Sequence, residues 1–113
     1  MVEQRIFTVV QFHKEGMHHY PAASGDIEFL RHPHRHVFHM KVIIEQFHDD
    51  RDVEFIGFKR WLESSWPREL GTMSCEQIAK YYLNLLDEKY SDRQAQVEVF
   101  EDGENGGIVT RIM

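Results

Sequence analysis

The sequence predicts an α+β fold, a single domain over residues 1–113 with elements in the order strand, strand, helix, helix, strand, strand (ββααββ). Three observations predict it. Two segments rich in β-branched and aromatic residues, "RIFTVVQF" and "HRHVFHMKVIIE", lie in the first half of the chain. Two segments with apolar residues at three- and four-residue steps follow, and a short alternating segment then runs into a glycine-rich turn. A four-stranded antiparallel sheet carrying two helices on one face buries the apolar side of every element.

Arg5 to Phe12 forms the first strand, because its side chains suit a pleated, half-buried surface. In the second strand the two-residue period puts His34, His36, Phe38, Met40, Val42 and Ile44 on one side, and Arg35, Val37, His39, Lys41, Ile43 and Glu45 on the other. Two histidines thus continue the apolar face. Between the strands, "HKEGMHHYPAASGDIEFLRHP" scatters Gly, Pro, Ser and Asp without a sustained period and predicts a long irregular excursion. Loops longer than about 12–15 residues in a compact domain are usually functional or disordered, and the histidines at both ends favour function.

From Val53 to Trp66, Phe55, Phe58, Trp61 and Leu62 make the stripe of a first helix that Pro67 stops. Ser74 and Gln77 read as the capping box of a second helix, with Ile78, Tyr81, Tyr82, Leu85 and Leu86 on its inner face as far as Tyr90. The aromatic stripes of both helices are core. In "AQVEVFED", Val97, Val99 and Glu101 share one side against Glu98 and Phe100, "GENGG" supplies a turn that accepts positive φ, and "IVTRIM" reads as the return strand of a hairpin. No linker, repeat or low-complexity segment interrupts this order.

Composition narrows the function classes. With 13 Lys and Arg against 19 Asp and Glu, the formal charge of −6 repels phosphate backbones, and without a basic patch a nucleic-acid partner is not expected. The longest apolar runs, "VFHMKVII" and "IFTVV", fall far short of the roughly 20 residues of a membrane span, and "MVEQR" opens no signal-peptide apolar stretch. A soluble, cytoplasmic protein with no membrane partner is the expectation. The single cysteine, Cys75, reads as a structural thiol and can form neither an internal disulfide nor a thiolate zinc site, so any metal must use nitrogen and oxygen ligands.

A zinc ion needs several imidazoles or carboxylates converging within about 2 to 2.2 Å of one point, and a His-x-His pair on one strand face supplies two such nitrogens. His34 and His36 have that spacing. A third ligand must come from elsewhere, and the pair His18–His19 lies across the long loop. The bland alternative for His34 and His36 is a solvated strand end, and His13, His32, His39 and His48 read as surface or supporting residues.

These stretches, in this order, resemble the 6-pyruvoyl-tetrahydropterin synthase and 6-carboxy-tetrahydropterin synthase family over roughly residues 5 to 111. "HRHVFHMKVII" is similar to the family's "HGH" and following strand, which matches His34 and His36 to two zinc ligands. Spacing puts the family's upstream zinc histidine on His19, with His18 the fallback. "EFIGFK" resembles the family's "DFAELK"-like helix start, "SCE" its "TSE", and "VFED" its "V-x-E-T", whose glutamate anchors a pterin or purine ring; that role falls on Glu101. The resemblance implies the tunnelling fold, with strands of several subunits closing into a barrel, hence a homo-oligomer, trimer or hexamer. It also implies Zn2+, a pterin or purine-like small-molecule ligand, and carbon–oxygen lyase chemistry on a dihydroneopterin triphosphate side chain.

The chain departs from that pattern in three places. "DIEFLRHPHRH" lacks the family's catalytic cysteine upstream of the metal histidines; some relatives carry glutamate there, and Glu28 is the residue that would serve as base, the competing reading being a solvated loop carboxylate. The family's "LDHxxLN" segment has no counterpart, since "SSWPRELGTMSCE" joins the helices directly, and Arg35 replaces the glycine of "HGH". These departures favour a second expectation, a non-catalytic binding protein that keeps the ring pocket at Glu101; an oligomeric interaction module is a third. Glu101 also has a plain alternative, pairing with Arg111 across the hairpin.

Overall fold

A computed structural model describes residues 3–112 of the chain. Its elements are β1 (Ile6–His18), β2 (His34–Gln46), α1 (Phe55–Ser64), α2 (Cys75–Lys89), β3 (Ala95–Glu101) and β4 (Asn105–Arg111). The strands form one sheet in the order β1-β2-β3-β4, every neighbouring pair antiparallel. This is the α+β arrangement the sequence predicts, and the differences from expectation lie in where its elements end.

The largest difference is in β1, which runs six residues past Phe12 to His18. Residues 13–18 have no run of apolar side chains to announce a strand, yet each pairs with β2: His13 with His39, Lys14 with Phe38, Gly16 with His36 and His18 with His34. Backbone pairing to a neighbour imposes extension where local composition does not. The long excursion therefore shrinks to residues 19–33, and a 3-10 helix over Gly25–Arg31 fills part of it. At Gly16 an added Cβ would come within 2.6 Å of Leu70 Cδ1 and 3.2 Å of Trp66, so a side chain here would make the chain between the helices give way where it closes onto the strand.

The core is built on the side of the sheet that carries Val10, Phe12, Phe38, Met40, Val42, Ile44, Val97 and Val99. Phe58 and Leu62 of α1, and Ile78, Ala79, Tyr82 and Leu86 of α2, complete it. The buried Tyr82 hydroxyl donates to the Leu62 carbonyl at 3.1 Å, so it enters the core with its polar atom satisfied. Phe55, expected in the α1 stripe, is instead exposed at the first position of α1, and the buried stripe begins at Phe58. Glu54 caps that turn, its carboxylate accepting from the amides of Ile56 at 2.6 Å and Gly57 at 3.0 Å. The Ser74–Gln77 capping box of α2 is formed as the sequence predicts.

β4 starts at Asn105, three residues before the expected return strand. Gly106 makes this early start workable, since a Cβ there would lie 1.8 Å from the Val99 carbonyl oxygen. The turn between β3 and β4 has positive φ at Asp102 (55°) and Gly103 (72°). On the opposite side of the sheet Phe7, Val9 and Ile108 are exposed. Among the described residues, no helix is long and apolar enough to cross a membrane.

Candidate metal centre

Past Phe12 and Met40, the core-facing side of β1 and β2 changes character. His18 sits opposite His34, and Gly16 opposite His36, so cross-strand pairing and the two-residue period aim all three imidazoles the same way. Ring centroids are 4.6 Å apart for His18 and His34, 5.2 Å for His18 and His36, and 4.9 Å for His34 and His36. One ring nitrogen of each lies within 4.8 Å of the others. Phe38 closes the cluster on the core side, its ring 5.2 Å from that of His18 and 5.7 Å from that of His36.

The third histidine is His18, not His19. β1 carries His18 in register to the converging face, whereas His19 follows the end of the strand, donates its amide to the Gly71 carbonyl at 3.0 Å, and stays outside the three-histidine group. His18 lay one residue from the match made on spacing alone, and in a strand one residue is the difference between two faces.

The outer nitrogen of each ring is held. His18 Nδ1 lies 2.7 Å from the Met73 carbonyl oxygen, His34 Nδ1 2.9 Å from that of His32, and His36 Nδ1 2.7 Å from Asp102 Oδ2. Carbonyl and carboxylate oxygens only accept, so each Nδ1 carries a proton and Nε2 is the nitrogen each ring can offer to a cation. Among the described residues, His18 Nε2 and His36 Nε2 are the buried side-chain polar atoms with no hydrogen-bond partner. Buried acceptors left unpaired cost about 1–3 kcal/mol each, and a divalent cation at the point of convergence would satisfy them together. The donor set therefore fits a metal ion: three imidazoles, each oriented through its second nitrogen.

Glu101 extends from the end of β3 to this point. Its Oε1 lies 3.2 Å from His18 Nε2 and its Oε2 3.4 Å from His36 Nε2. The alternative pairing across the hairpin does not form, because the register sets Glu101 opposite Asn105 and Arg111 opposite Ala95 at the other end of the strands, where Arg111 donates to Asp87 at 2.6 Å and to the carbonyls of Tyr90 and Arg93. Cys75, at the start of α2, is buried beside Glu101. Burial first, then the negative charges of Glu101 and Glu76, push its thiol up to about 12, so it stays protonated at neutral pH, in keeping with a structural thiol.

Asp102 is the residue that sequence reading misses. Its positive φ turns the carboxylate back onto β2, where Oδ2 accepts from His36 and Oδ1 from the Val37 amide at 2.9 Å. Those two hydrogen bonds, the His36 one first, hold its carboxyl below the usual range. The Asp-Gly pair opening the hairpin turn was the available signal: it marks a residue free to take positive φ, one step from Glu101. Glu28 is not brought to the cluster. It stands on the 3-10 helix, largely exposed, and pairs with Arg31 at 3.2 Å.

A cavity of about 330 Å3 opens beside the imidazoles, lined in part by His18, His34, Glu101, Tyr20, Cys75 and Glu76. Its size is within the range of small-molecule sites. The three imidazoles can hold a divalent cation, with the Glu101 carboxylate next to it and room for a small ligand in the cavity. A scan against protein-family models and a search of curated proteins each returned no match to this chain.

Proposed function

We propose that the protein is a zinc-dependent enzyme acting on a pterin or purine-derived small molecule, with lyase chemistry of the 6-pyruvoyl- and 6-carboxy-tetrahydropterin synthase type. The observation that carries the reading is the convergence of His18, His34 and His36 beside a cavity that Glu101 also lines. Zinc bound by three neutral imidazoles keeps a position at which a ligand oxygen is polarised and a neighbouring proton made more acidic. The residues of the chain supply the rest. Met73, His32 and Asp102 orient the three rings, Phe38 keeps water from their inner side, and the Glu101 carboxylate can accept from adjacent N–H and NH2 donors of a flat ring.

A second reading is favoured by a specific observation: Glu28 is turned to solvent, and no cysteine stands in its place. On that reading the scaffold binds the same class of ligand without turning it over. Either way the assembly is a homo-oligomer, trimer or hexamer, closed into a barrel. The long outer strand β1, the outer strand β4 and the exposed Phe7, Val9 and Ile108 support this part of the proposal.

The test is metal analysis of the purified protein. Near-stoichiometric zinc in the wild type, lost when His34→Ala and His36→Ala are combined, is the expected result; a folded wild-type protein that takes up no zinc overturns the reading. Turnover of dihydroneopterin triphosphate by the zinc-loaded protein then separates enzyme from binder.

A further inference from the structure

Two buried imidazole nitrogens lie beside a carboxylate. His18 Nε2 and His36 Nε2 have no hydrogen-bond partner, yet Glu101 brings one oxygen to 3.2 Å from the first and the other to 3.4 Å from the second. Neither contact has the alignment of an N–H···O bond, so Glu101 satisfies neither nitrogen. Each nitrogen is directed to the side of its neighbouring oxygen rather than at it, and with the His18 side chain only 9% exposed water has little access to its ring. A cation lying between the imidazoles and the carboxylate would satisfy both nitrogens and both oxygens at once.

From this geometry we infer that Glu101 is the fourth ligand of the metal centre when no small molecule is bound, so that the resting site is three histidines and one glutamate. The inference rests on the metal centre proposed above. It adds that the position left by the histidines is closed by the protein's own carboxylate, which an incoming ligand must displace. The ring-holding role and the metal-holding role of Glu101 then belong to two states of one side chain, the first available only after the second is given up. Glu101 is suited to both because it stands at the last position of β3, beside a turn that Asp102 fastens to β2.

The experiment uses the full chain, stripped of metal and titrated with zinc against a chromophoric chelator, and separately with cobalt(II), whose visible spectrum reports the donor set. Glu101→Gln keeps the shape of the side chain and removes its charge. It is expected to weaken zinc binding by at least about 10-fold, the minimum effect of disturbing even a supporting residue of a metal site, and to change the cobalt bands. Glu76→Gln, which removes the cavity's other carboxylate, is expected to leave both readouts unchanged. If Glu101→Gln binds zinc like the wild type with the same cobalt spectrum, the inference is overturned while the three-histidine centre stands. If Glu76→Gln weakens zinc as much as Glu101→Gln, the effect is general charge and the inference again falls. A wild-type protein that binds no zinc removes the centre itself.

Discussion

The side of β1 and β2 that faces the helices has two ends, and they are built on different terms. At one end Val10 pairs with Val42 and Phe12 with Met40, and Leu62, Ile78, Tyr82 and Leu86 seal them from water. At the other, Gly16 pairs with His36 and His18 with His34, and the connection between α1 and α2 covers them only in part. Strand direction, pairing and alternation are the same at both ends. The first is held by excluding water from side chains that want nothing else; the second is held by committing one nitrogen of every ring and leaving the other free. Alternation thus decides which way a side chain points, and the cover above it decides what chemistry it retains.

The most forceful way to break the comparison is to damage the covered end alone. Leu62→Ala removes a fully buried side chain and should lower unfolding stability by about 2–5 kcal/mol in urea titrations, leaving zinc affinity of the folded protein unchanged. If affinity fell in step with stability, the two ends would not be separable.

The converse change is smaller and sharper. Asp102→Ala frees His36 Nδ1 without touching a converging nitrogen, and should weaken zinc binding by about 10–100-fold while the thermal midpoint of the metal-free protein moves little. An unchanged affinity would show that the ring needs no carboxylate to hold it.

The least effect belongs to the helical cover in acid. The amides of Gly57 and Ile56 hold the Glu54 carboxyl below its ordinary 4.5. A depressed folded-state pKa means that the carboxylate's contribution is fully present above that ordinary value and is lost as pH falls through the lower folded one. The stability difference between wild type and Glu54→Gln should therefore be constant near neutral pH and shrink below about 4.5, measured by urea unfolding along a pH series. A difference that does not change with pH would remove the cap from the account.

What the sequence made legible follows the same division. The apolar face of β2, the α2 capping box and the in-facing Val97, Val99 and Glu101 were readable because a local period or a fixed spacing encodes them. The extension of β1 was not, since residues 13–18 are held by their partners in β2 rather than by their own preferences. The third histidine was lost with it: without the strand there was no register, and spacing alone set His19 ahead of His18. Asp102 was hidden for a related reason, because its role exists only once the turn folds the carboxylate onto a histidine 66 positions away.

The bond from His18 to the Met73 carbonyl has one more consequence. Met73 immediately precedes the Ser74 cap of α2, so a cation seated on the three rings would rivet the far tips of two strands to the hinge between the helices. Zinc loading should accordingly slow amide hydrogen exchange around residues 71–75, a stretch remote in sequence from every imidazole, as binding to the folded state alone must do.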